Sequence, residues 1–199
     1  MLFLGEIDFG YPTLRKGAKD GAPTFAVVLW ELGGHVMKTV IRTLLLLSLI
    51  VWLGAEIFFP VVAQVTFTQL APNTHDAGAI VGSLLRILHG MGLVCGVVLV
   101  ALLALAPAWG IFKPRLALAA LGVVLGMVGL TAYSQYGIIP AMERDRLAAG
   151  GVIDNAALDD PARVHFEALH KRSERVEGVV ILLGIVVVAL VGGGEAVRR

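Results

Sequence analysis

With 199 residues the chain has room for about one domain, and its 57% apolar and 16% charged residues set it apart from soluble domains, which run near 25% charged. A formal net charge of +1 leaves no broad basic field, so nucleic acid is excluded as a partner. The single cysteine, Cys95, lies inside an apolar run and permits neither an intrachain disulfide nor a cysteine-based zinc site; it reads as small core filler.

Residues 1–36 differ in composition from the rest, with Gly10, Pro12, Gly17, Gly21 and Pro23 interrupting them and only residues 25–32 looking amphipathic. They are read as an N-terminal extension, either a flexible tail or a segment that meets a partner or the membrane surface. Residues 37–199 form the second part, a four-span domain.

Four apolar stretches approach or exceed the ~20 residues that cross a ~30 Å hydrocarbon core: about 40–67, 84–109, 116–139 and 176–193. In lipid each must be helical, because a helix satisfies its own backbone hydrogen bonds within one segment. The first stretch has a basic flank, Lys38 and Arg42, but runs far beyond the ~7–15 apolar residues of a signal peptide, so it is read as a retained span. The predicted fold is all-α, an integral membrane four-helix bundle with up-down topology.

The connections give an orientation. Arg15, Lys16, Lys19, Lys38 and Arg42 precede the first span, Lys113 and Arg115 lie between the second and third, and Arg198 and Arg199 end the chain. The first loop has no Lys or Arg, which predicts cytoplasmic termini, with the bacterial inner membrane as the setting. The third connection, about 141–175, is rich in both signs of charge and is placed outside. Within it, Pro161 begins an amphipathic helix expected to run into the fourth span as a helical extension on the exterior side. Pro140 is expected to kink or end the third helix.

Glu56 interrupts the first apolar stretch, and an ionisable group at that depth is normally turned inward and given a partner. Counting along the helices on either side of the first loop puts Glu56 and His89 within about a turn of the same depth, with Arg86 on the same face as His89. Tyr133, Gln135 and Tyr136 lie toward the same end of the third helix; His170, Glu174 and Glu177 share a face at the start of the fourth. The candidate site is therefore Glu56, Arg86, His89, Tyr133, Gln135, Tyr136, His170 and Glu174. Gln64 and His165 also lie near the spans.

Three uses compete for this cluster: hydrogen-bonded register between helices, a small-molecule, proton or ion site built on Glu56 and His89, and a haem or metal held by His89 and His170. No Cys-x-x-Cys-His attachment motif is present, and Arg86 beside His89 disfavours a cationic metal, so no cofactor is expected. Gly122, Gly126 and Gly129 with Ala119, and Gly90, Gly92 and Gly96, form small-residue stripes suited to packing inside the bundle, with contacts to other subunits as the second use. Phosphate loops, a His-Glu-x-x-His pair and a Gly-x-Ser-x-Gly elbow are absent, which predicts a non-enzymatic protein.

Trp52-Leu53-Gly54-Ala55-Glu56 followed by Ala63 and Phe67, then Ala77-Gly78, His89, and Phe166-Glu167-Ala168-Leu169-His170, resemble the transmembrane-protein-205-like family, domain-of-unknown-function family 4149, over about residues 39–191. The resemblance implies a four-span integral membrane protein without an established activity. A looser similarity to copper-resistance and haem-pathway membrane proteins, which also combine Trp-x-Gly with histidines on other helices, is the reason haem stays among the alternatives. The overall expectation is an accessory or structural subunit of a larger membrane complex, with a small transporter or sensor as the alternative.

Overall fold

The computed structural model describes residues 24–193, with side chains from residue 33 onward. The expectations placed on residues 1–23, and on Arg198 and Arg199, lie outside the described residues. The chain divides into Met1–Val36 and Met37–Arg199. The elements are α1 (Thr24–Gln69), α2 (Thr74–Leu105), α3 (Pro114–Tyr133), a π-helical turn (Ser134–Ile138), α4 (Ile139–Ala148), a 3-10 turn (Ile153–Asn155) and α5 (Pro161–Gly193). There is no strand among the described residues.

Four helical rods are long and apolar enough to cross a membrane: Gly33–Gln69, Thr74–Leu105, Pro114–Ala148 and Pro161–Gly193. At 1.5 Å per residue α2 and α5 are ~50 Å long, well beyond a ~30 Å hydrocarbon core, so their polar ends stand clear of it. Two of these ends follow local capping chemistry. Asn73 accepts from the Asp76 N–H at 3.2 Å and starts α2; Asp160 accepts from the Ala162 N–H at 2.8 Å, with Pro161 next in line, and starts α5.

Helix boundaries depart from the hydropathy reading in instructive ways. α2 begins at Thr74, ahead of the apolar stretch that starts at 84, because Asn73 caps it there and hydropathy marks only the part of a helix that lies in lipid. It stops at Leu105 rather than near Trp109, since Pro107 cannot donate a backbone hydrogen bond and the chain turns through Gly110 at φ 63°. Pro140 does not end the third rod, which stays helical to Ala148. The π turn just before it, in which the Ile139 N–H reaches back to the Ser134 carbonyl, widens the helix where the proline ring would crowd the preceding turn.

Each helix buries one stripe. Ile41, Leu45, Leu49 and Trp52 of α1 meet Leu99 and Leu103 of α2, Ala117, Ala120, Val124 and Met127 of α3, and Val180, Val187 and Val191 of α5. The outward faces are also apolar, with Ile50, Ile87, Val94, Leu118 and Leu182 exposed, which suits lipid rather than water as their surroundings.

The glycines divide between two uses. A Cβ on Gly92 would stand 2.5 Å from Trp52 Nε1, one on Gly96 would overlap Val128 Cγ2, and one on Gly184 would stand 2.7 Å from Leu53 Cδ1, so these positions admit large side chains from neighbouring helices. The α3 stripe does not pack inside the bundle as expected. Gly122 and Gly129 have nothing within 4 Å of a built Cβ, and Gly126 has only Leu183 at 3.9 Å. The buried phase of α3 runs through Ala120, Val124, Met127 and Thr131, which turns all three glycines outward.

Candidate functional site, a buried polar layer

A common depth for the site follows from the other end of the bundle. Arg42, Phe112 and Val191 line one small cavity and so mark one level. From Arg42 to Glu56, and likewise from Val191 to Glu177, the helix rises ~21 Å. Both glutamates therefore lie inside a ~30 Å hydrocarbon slab, beyond its middle. Exposed Arg86 and Arg172 lie about a turn farther on than His89 and Glu177, where basic side chains favour the interface.

The layer is assembled from every membrane-spanning rod. On α1, Trp52 and Glu56 are one turn apart, and Trp52 Nε1 donates to Glu56 Oε1 at 3.2 Å. Trp52 is held against α2 by the space that Gly92 and Gly96 leave open. On α2, His89 is fully buried, with Nδ1 3.2 Å from Gln135 Oε1 and Nε2 2.8 Å from Glu177 Oε1. Ser134 Oγ donates to the same Glu177 oxygen at 3.0 Å. Ser134 and Gln135 stand three and four residues after buried Thr131, so both turn toward the bundle at the start of the π turn.

Of the eight residues predicted from sequence, the structure brings together Glu56, His89 and Gln135. Arg86 does not join them; its side chain is exposed, consistent with a guanidinium reaching the nearby aqueous edge. Tyr133 and Tyr136 are exposed as well, and Tyr133 accepts a long 3.4 Å hydrogen bond from Arg172. His170 and Glu174 pair with each other at 3.4 Å on the outside of α5, with side chains 56% and 66% exposed, and His170 stacks on Phe166. They lie one residue off the buried phase of α5, which runs through Leu169, Ser173, Val180 and Gly184. Of the other polar residues, exposed Gln64 reaches only Thr68 and His165 pairs with Asp145 at 2.8 Å.

Three members were missed by sequence reasoning: Trp52, Ser134 and Glu177. Glu177 had a signal, being in phase with Ser173, Val180 and Gly184 and not merely on the general face of His170 and Glu174. Trp52 also had one, four residues before Glu56. Ser134 had one as well, continuing the Val124, Met127 and Thr131 phase of α3 three residues on.

His89 and His170 do not form a ligand pair. Both ring nitrogens of His89 are engaged by side chains, and His170 is on the outside of the bundle, ~10 Å along α5 from Glu177. Among the described residues, no group of three or more His, Cys, Asp or Glu side chains is placed to hold a metal ion. Two cavities, of about 370 and 60 Å³, are lined by Leu46, Leu49, Leu53 and Val191 or by Arg42 and Phe112, and neither includes a residue of the polar layer. The layer is a junction of buried, hydrogen-bonded side chains.

No curated protein and no solved structure matches the chain. A family profile does, over residues 47–148, a stretch that carries Trp52, Glu56, His89, Ser134 and Gln135 and ends before Glu177. The chain is a four-span membrane protein that belongs to the domain-of-unknown-function family DUF4149.

Proposed function

We propose that this protein is a non-enzymatic membrane component whose polar layer fixes four helices in one register, and that it serves as an accessory subunit of a larger membrane complex. The observation that carries the register role is that His89, Gln135, Ser134 and Glu177 are spent on one another across α2, the π turn and α5, while the Trp52–Glu56 pair of α1 is seated against Gly92 and Gly96 of α2. Lipid supplies little hydrophobic drive between helices, so such bonds choose one packing among several. The subunit role is supported by residues 1–36, an extension whose composition differs from that of the four spans and which could serve as a docking strap. After gentle extraction from its native membrane the protein should migrate in an assembly larger than itself. Migration alone at its own mass would remove the subunit role.

The setting we propose is the bacterial inner membrane with both termini cytoplasmic, supported by Arg42, Lys113 and Arg115 clustering at one end of the rods. We also propose that no cofactor is resident, because both nitrogens of His89 already have side-chain partners. Protein purified after haem-replete expression should show no Soret band, and a stoichiometric one would overturn this. A second reading, a small transporter or sensor working through Glu56 and His89, is favoured by one observation: Glu177 Oε2 is buried and has no donor.

A further inference from the structure

The two cavities form one groove. Both are lined by Leu46 of α1 and by Val191 and Gly192 of α5, so the smaller, which holds Arg42 and Phe112, continues the larger toward the end of the bundle. The larger, of about 370 Å³, runs between α1 and α5 from Leu46 past Ile50 and Gly54 to Ile57, and every residue lining it is apolar. Two glycines hollow it out, since a Cβ built on Gly54 or on Gly192 meets nothing within 4 Å. Exposed Ile50, Ile57 and Val188 on its rims open it sideways to lipid.

Length and charge together select an occupant. From Leu46 to Ile57 α1 rises ~16 Å, one leaflet's share of a ~30 Å hydrocarbon core, and Arg42 stands one turn beyond Leu46. Lys38 follows one turn farther along the same face of α1. Among the described residues of this end, 37–46, 103–118 and 186–193, the charged side chains are Lys38, Arg42, Lys113 and Arg115, with no carboxylate. A guanidinium matches a phosphate with paired N–H donors, and basic pockets between spans collect anionic headgroups. We propose that the groove between α1 and α5 binds one anionic phospholipid, whose acyl chain fills the space over Gly54 and Gly192 and whose phosphate meets Arg42. Left empty, the groove would deny its walls their contacts, and hydrocarbon is the filling at hand in a bilayer. The site shares no residue with the polar layer, and it stands whether or not the protein serves as a subunit.

The test is native mass spectrometry of the full chain in detergent, incubated with equal amounts of phosphatidylglycerol and phosphatidylcholine carrying the same acyl chains. Wild type should retain one phosphatidylglycerol in preference to phosphatidylcholine. Arg42→Gln should lower that preference about fivefold, the contribution of one basic side chain beside membrane anions. Gly54→Leu and Gly192→Leu, which put a side chain into the groove from either wall, should fold and lose the bound lipid. Gly122→Leu, equally open but on the outer face of α3, should keep it. Equal retention of the two lipids by wild type, an unchanged preference in Arg42→Gln, or groove-filled variants that hold lipid as wild type does would each overturn the site. Failure of both groove-filled variants to fold overturns it as well, because an open groove must admit a side chain. A dimer seen in place of the lipid, and lost in Gly54→Leu, would give the groove to a second copy of the chain instead.

Discussion

Replacing His89 with alanine should destabilise the folded bundle by about 3 kcal/mol or more, the cost of leaving one partner of a buried pair unmatched. His89 has no exposed surface, and its removal strips Glu177 of its 2.8 Å partner while leaving Ser134 as its only donor. Glu177, with its side chain 15% exposed, cannot recover much of that from water. The double variant His89→Ala, Glu177→Ala should cost less than the sum of the single changes, because the second deletion removes the group that the first left stranded. Unfolding in detergent titrated with denaturant gives all three numbers. A single-variant cost under about 1 kcal/mol would mean that the layer is wet and the pair behaves as an exposed one.

The second large effect is expected at Trp52. Trp52→Ala should cost about 3 kcal/mol, the low end for deleting a buried aromatic, because lipid solvates the lost apolar surface better than water does. Trp52 is fully buried against Gly92 and Gly96 and also holds Glu56 through its indole nitrogen. Gly92→Ala should destabilise too, by about 1–3 kcal/mol, since its Cβ would meet Nε1 at 2.5 Å. The two changes share one space. In the Trp52→Ala background the Gly92→Ala cost should largely vanish, measured by the same unfolding titration, whereas Gly122→Ala, with no neighbour within 4 Å, should be near neutral in either background.

How much of this was legible in the sequence depends on which geometrical question is asked. Glu56 and His89 could be placed in one layer by counting, because a short turn at Leu70–Asn73 joins α1 to α2 and helical rise is constant. Gln135 followed from its distance along the third rod. Arg86, His170 and Glu174 were placed at about the right depth, yet they face outward, because depth along a helix says nothing about rotation around it. Glu177 was the reverse case: it was grouped with His170 and Glu174 by face and left out of the candidate site, although it shares the phase of the inward residues Ser173 and Val180. The α3 glycines misled for the same reason, a small-residue stripe being visible in sequence and its direction not.

The sequence by itself determined the solvent, the number of rods and the presence of ionisable groups at membrane depth. Lipid makes those questions one-dimensional, since every span must close its own backbone hydrogen bonds and needs only enough apolar length. Tertiary structure alone decided that Glu177 bonds His89 and Ser134, that Gln135 meets the other face of His89, and that Gly92 and Gly96 admit Trp52 while Gly122 and Gly129 face outward. Those outcomes depend on the rotation and height of one helix against another. Interhelical packing sets both, and no single segment encodes them.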